Sequence, residues 1–214
     1  VMREATFAEW FAFTSGGGTY IDASGVMQTA ASNAPRRDYS TGVGRLGLNN
    51  AATNKVTCRK HNPVDTSNLT KTGDAAATLS VVDDTAALAA AGLAAICTNG
   101  TVYKLDNSLG TTTATVSDAG NVGNTNQHTM AAYIRGGSGW LRDNSSGTTL
   151  AFTSSASYRV VKYGYAPAAA GGVWQIRADA AQVVYFILPQ LVEQAFLSPI
   201  IPGNTLSAVT RPIE

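Results

Sequence analysis

Apolar and polar positions alternate in short runs along most of this chain of 214 residues. From Lys55 onward the period is two, which sends successive side chains to opposite faces of an extended strand. The predicted strands are Lys55–Arg59, Ala76–Asp83, Val102–Leu105, Thr111–Ser117, His128–Arg135, Trp140–Arg142, Thr148–Thr153, Tyr158–Tyr165, Val173–Ala178 and Gln182–Leu191. Turn formers stand between them: Asn99-Gly100, Asp118-Ala119-Gly120-Asn121, Gly136-Gly137-Ser138-Gly139, Asn144-Ser145-Ser146-Gly147 and Ala170-Gly171-Gly172. Short strands at a spacing of about ten residues predict an all-β fold, a β-sandwich of jelly-roll type.

Two segments depart from simple alternation. Asp84–Ala95 is rich in alanine and leucine and predicts a short helix, with Asp84 or Thr85 as its N-cap and Gly92 weakening its far end. Gln182–Leu191 is apolar on both faces, with Val183, Tyr185 and Ile187 on one and Val184, Phe186 and Leu188 on the other. Such a strand is covered on both sides. One cover is the sandwich core; an arm, a neighbouring subunit or the N-terminal segment would supply the other. Pro189 has no ladder donor, so the strand should end or bulge there.

The N-terminal part has a different texture. Phe7, Trp10, Phe11 and Phe13 are spaced as in a short amphipathic helix or a docking arm, and they are the predicted assembly contacts. Thr19–Asp22 and Val26–Thr29 flank Ala23-Ser24-Gly25, which predicts a β-hairpin. Asn33–Asn54 is rich in Gly, Asn and Arg and is expected to be irregular. The expected organisation is an arm, hairpin and irregular segment over 1–54, the sandwich over 55–198, and a tail over 199–214 that packs back on it.

Composition narrows the partners. Charged residues make up 14%, against the usual quarter. With Lys+Arg 15, Asp+Glu 14 and a net charge of +1, the basic excess that phosphate neutralisation needs is missing, so no nucleic-acid partner is expected. The longest apolar run, Val183–Pro189, falls far short of the ~20 residues of a membrane-spanning helix, so no membrane insertion is expected. Cys58 and Cys97, the only cysteines, leave a single disulfide and two buried thiols both open. No zinc spacing is present, and no cofactor or bound metal is expected. Asp106-Asn107, Asp118 with Asn121, and Asp143-Asn144 are the oxygen-rich pairs that would suit calcium.

Catalytic constellations are thin. Glycoside hydrolysis needs two carboxylates facing each other across a sugar. Asp83 and Asp84 are adjacent, so on a strand they face opposite ways, and Asp74 and Asp106 are the remaining candidates. A lyase set of His128, Tyr133 and Arg135 falls on one predicted strand and reads more simply as ordinary strand residues. An enzyme is therefore not expected. Sugar binding without catalysis asks for aromatic platforms beside hydrogen-bonding side chains. Tyr163, Tyr165, Trp174 and Arg177 are the candidate carbohydrate-binding residues, although each ring also suits the core; Trp140, next to a glycine loop, reads as an apolar anchor.

Both ends of the chain resemble a family of proteins on the surface of tailed phages and phage-like particles, gene transfer agents among them. At the N-terminus the resemblance rests on Phe13-Thr14, Thr19-Tyr20-Ile21-Asp22-Ala23-Ser24-Gly25-Val26-Met27-Gln28-Thr29-Ala30 and Asn33-Ala34-Pro35-Arg36, followed by Leu46-Gly47-Leu48 and Ala52-Thr53-Asn54. At the C-terminus it rests on Gln190-Leu191-Val192-Glu193, Ala195-Phe196-Leu197-Ser198-Pro199-Ile200-Ile201-Pro202 and Val209-Thr210-Arg211. Ser15 stands where that family's pattern has arginine. The resemblance implies a concanavalin-like or carbohydrate-binding-module-like sandwich in a fibre, spike or decoration protein. Implied with it are a homotrimer, other virion proteins as partners, a place on the virion surface and contact with host surface polysaccharide. It carries over no catalytic residue. Two alternatives remain: a purely structural connector or decoration protein without ligand and, less well supported, a polysaccharide depolymerase.

Overall fold

Alternation is realised as strands throughout the computed structural model, which describes residues 18–21, 24, 27–30, 37–38, 45–46, 52–145, 149–193 and 209–211. In chain order the elements are β1 (Gly18–Ile21), β2 (Met27–Ala30), β3 (Arg37–Asp38), β4 (Arg45–Leu46), β5 (Ala52–Asn54), β6 (Leu69–Gly73), β7 (Thr78–Asp83) and helix α1 (Thr85–Ala90). Then come β8 (Thr101–Asn107), β9 (Ala114–Asn121), β10 (His128–Gly136), β11 (Gly139–Asp143), β12 (Thr149–Phe152), β13 (Ser155–Tyr165), β14 (Val173–Ala178), β15 (Gln182–Val192) and β16 (Val209–Arg211).

Two antiparallel sheets form an all-β sandwich. One has five strands in the order β12-β11-β14-β9-β6. The other has seven: β13, β10 and β15 in sequence, then β8 and β7 along the first half of β15, and β5 and β16 beyond its second half. Each sheet turns its apolar positions inward. Leu141, Ile176 and Val116 come from the first, and Tyr103, Leu105, Met130, Ala132, Ile134, Val184 and Phe186 from the second. Trp174 and Phe186 pack at 5.7 Å between ring centroids, and Phe186 stacks on Tyr103 at 5.1 Å. Burying such a side chain contributes roughly 1.5–3 kcal/mol.

A second, smaller core lies on the outer face of the seven-stranded sheet. Leu88 of α1, with Leu93, Ile96 and Cys97 after it, covers Val102, Tyr158, Ile187 and Leu188. The chain's own helical excursion therefore supplies cover for Ile187 and Leu188 on the second apolar face of β15. The helix is shorter than its sequence suggests. It stops at Ala90, and Gly92 follows in the left-handed region at φ 70°, where only glycine sits without strain. Asp84 occupies the N-cap position without making a side-chain cap, because its carboxylate is engaged elsewhere. Pro189 leaves its mark on β15 as a bulge: the register against β10 steps from Ala131↔Gln190 to Tyr133↔Ile187, and Leu188 takes a φ of 54°.

Lys55–Arg59 is not a strand. The amides of Thr57 and Cys58 donate to the Asp118 carboxylate, at 2.8 Å each, and so are withdrawn from any ladder. β6, which was not predicted, pairs along β9 as a largely polar edge strand. The N-terminal hairpin forms as expected, with Gly18↔Ala30 to Ile21↔Met27 in register. Within 33–54 the described pieces are β5 and the short pair β3 and β4. Both cysteines are free and buried, Cys58 in the sandwich core and Cys97 in the second core across the sheet from it.

Candidate functional site

The outer face of the five-stranded sheet is built by the same alternation that builds the core. Because Leu141, Ile176 and Val116 point inward, their neighbours along each strand must point out. One row across the sheet reads Ala151, Trp140, Arg177, Thr115, Thr72, and the next reads Thr149, Arg142, Gln175, Ser117, Thr70. Trp140 is 36% exposed, the only large aromatic side chain so exposed among the described residues. Arg177 lies directly opposite it on β14, and Arg142 follows two residues along its own strand. Gln175 Nε2 donates to Ser117 Oγ at 2.7 Å, and Arg177 Nη2 donates to Thr113 Oγ1 at 2.6 Å. The Nε atoms of Arg142 and Arg177 are shielded from solvent and have no acceptor among the described residues. Neither row contains an acidic residue.

This assembly overlaps the sequence prediction in one residue, Arg177. Trp174 is fully buried and Tyr165 is 5% exposed, so neither ring offers a face to a sugar. Tyr163 and Tyr165 do share a side of β13, together with Val161, but it is the side that faces the core. The Tyr163 hydroxyl accepts from the Asp143 amide at 3.1 Å, and burial raises the ionisation of both phenols well above the ordinary tyrosine value. These three rings are structural. Trp140 is the ring on the outer face, and Leu141 was its signal: an apolar residue flanked by a ring and an arginine at strand spacing sends both outward. Phe7, Trp10, Phe11 and Phe13 lie outside the described residues.

The carboxylates considered for catalysis are spoken for. Asp84 forms a two-pronged pair with Arg135, at 2.7 and 2.6 Å, and accepts from the Tyr158 hydroxyl at 2.6 Å. The Arg135 guanidinium also lies 4.0 Å above the Tyr185 ring. Tyr158 is 7% exposed, and burial, then the Asp84 bond, holds its proton firmly. Asp74 accepts the amides of Thr111 and Thr112, which hold its carboxyl down at about 2.

No match came from the family models or from the characterised proteins compared with the chain.

The calcium-suited pairs are likewise engaged, and by donors. Asp118 accepts from three backbone amides, those of Thr57, Cys58 and Gly120, which occupy its oxygens where it is buried. Asp106 is held by Lys104 at 2.8 Å and by Ser108. Asp143 accepts from Ser145. Among the described residues no group of three or more His, Cys, Asp or Glu side chains is placed to hold a metal ion. Nor, among them, is any helix long and apolar enough to cross a membrane.

At one end of the sandwich Lys55 Nζ donates to the Val122 carbonyl and lies 3.2 Å from His128 Nε2 and 3.3 Å from Glu193. Glu193 is further bonded by Asn126 and Asn124, at 2.6 and 2.8 Å, and these bonds, with Lys55, bring its carboxyl down to about 2. His128 is buried, with Nδ1 2.7 Å from the Asn126 carbonyl. This network fastens the 122–128 loop to β15, and its buried histidine offers no reacting atom to a substrate.

Proposed function

We propose that this chain is a non-enzymatic module of a phage-like virion surface, and that it holds host surface polysaccharide on the outer face of its five-stranded sheet. The observation that carries the binding half is Trp140, exposed on a flat polar face and bordered by Arg177, Arg142 and Gln175. An indole ring stacks on the apolar face of a sugar, while guanidinium, amide and hydroxyl groups around it bond the sugar's oxygens. A strand-borne platform is rigid, so little ordering entropy is lost on binding. The virion half rests on the resemblance at both ends of the sequence. The hairpin β1–β2 falls on the N-terminal signature, and β16 falls on the Val209-Thr210-Arg211 of the C-terminal one. One shallow site binds weakly, and several copies on a particle would raise the avidity. A homotrimer, with other virion proteins as partners, follows from the same resemblance.

The test is retention of the purified chain on immobilised host-surface polysaccharide, with reducing-end release followed in the same samples. Saturable retention without chain cleavage, reduced at least tenfold by Trp140→Ala at unchanged melting temperature, is the expected result. Cleavage would sink the non-enzymatic reading.

A second reading, a purely structural connector or decoration protein, is favoured by one observation: three of the rings that sequence offers for sugar stacking belong to the core. Retention that is absent, or indifferent to Trp140→Ala, would decide for it.

A further inference from the structure

Resting on that binding face, we infer that its ligand is an acidic polysaccharide, one whose sugar rings carry carboxylate or comparable anionic groups. The inference comes from charge accounting. Of the ten residues in the two outward rows, two are arginines and none is acidic. Elsewhere in the described structure two guanidinium groups lie beside carboxylates, Arg135 with Asp84 and Arg59 with Asp65, while Arg159 donates to Thr153. Arg142 and Arg177 have no carboxylate in either row, and each, like Arg59, has an Nε–H shielded from water with no acceptor among the described residues. A desolvated, unmet donor costs free energy unless something accepts from it. Two arginines beside an exposed ring, with no carboxylate in either row, give the face a positive charge that an anionic ligand complements.

The spacing fits a single sugar unit and its neighbour. Arg177 is the cross-strand partner of Trp140, so their Cα atoms are about 5 Å apart, and Arg142 is two residues along, at about 6.5 Å. A pyranose lying on the indole would reach both guanidinium groups with its substituents. Guanidinium presents a planar fork that matches a carboxylate in two parallel bonds, which an ammonium cannot do. Thr70, Thr72, Thr115, Ser117 and Gln175 extend the face with neutral donors and acceptors for hydroxyls. A bare polyanion would gain from the two charges but would leave the ring unused.

The experiment uses the full chain on three immobilised polymers at physiological salt: alginate as the acidic polysaccharide, pullulan as a neutral one, and polyglutamate as a polyanion without sugar rings. The expected order is alginate strongest, with polyglutamate and pullulan at least tenfold weaker. Arg142→Gln/Arg177→Gln should lower alginate retention by roughly a hundredfold, about tenfold for each charge-assisted contact, and lower pullulan retention far less, because a neutral sugar loses only ordinary hydrogen bonds. Lysine at both positions should restore only part of the loss, because the charge returns without the fork. Equal retention on alginate and pullulan, unmoved by the double variant, overturns the acidic preference and leaves the glycan reading standing. Polyglutamate matching alginate overturns it too, since charge alone would then suffice. Retention on none of the three overturns both readings together. The two arginines are partly exposed on the sheet surface, and an unchanged melting temperature separates lost binding from lost fold.

Discussion

Asp84 shows how much a single side chain can hold in this fold. It stands where β7 gives way to α1, and its carboxylate ties that junction to Arg135 of β10 and Tyr158 of β13. The pair is largely withdrawn from solvent, with side-chain exposures of 12% for Asp84 and 21% for Arg135. Removing one partner leaves the other charge stranded, which is costlier than never having the pair. Asp84→Ala is expected to lose about 3 kcal/mol in urea unfolding, and Tyr158→Phe about 1 kcal/mol. A double-mutant cycle between them should show coupling, because both remove the same bond. Additive losses would mean that the hydroxyl bond contributes nothing to stability.

Among the elements, strand positions were the most legible part of the chain. Alternation placed β8, β10, β11, β13, β14 and β15 within a few residues, because each has one face in a core. It failed where the deciding partner is distant in sequence. Lys55–Arg59 alternates properly, yet a carboxylate some sixty positions away takes its amides. β6 offers the core only Leu69 and pairs because β9 presents it an edge. The proposed face was partly legible: Arg177 points outward as its spacing predicts, whereas the exposure of Trp140 was hidden by the glycines before it, which suggested an anchor. Those glycines serve the backbone. Gly136 has a φ of 96°, and a Cβ there would lie 2.4 Å from the Val183 carbonyl oxygen. Left-handed backbone costs an L-residue about 1–2 kcal/mol before any clash, so Gly136→Ala should lose at least about 2 kcal/mol by denaturant titration. An unaffected midpoint would show that the β10–β11 turn rearranges freely.

At the scale of the whole molecule, acid is the natural stress. Asp74 and Asp106 at one end of the sandwich and Glu193 at the other have their carboxyls lowered to about 2, against ordinary values of 3.8 for Asp and 4.5 for Glu. Their folded ionisation lies below the unfolded one, so their stabilisation is complete above the ordinary values and drains away as pH falls toward 2. Thermal melting should therefore hold steady from pH 7 to about 5 and decline below about 4. Asp74→Asn/Glu193→Gln should flatten that decline; an equally steep fall in the double variant would assign the acid sensitivity to other groups. The ladder between β5, β15 and β16 has a further consequence. Asn54 and Val209 are direct partners, so the chain passes into the sandwich and out of it on neighbouring strands. In covalent terms everything between them is a loop closed by one rung, and its two junctions stand only about 5 Å apart. Two ends so close are the geometry that insertion into the hairpin of another protein requires, since neither chain need be stretched.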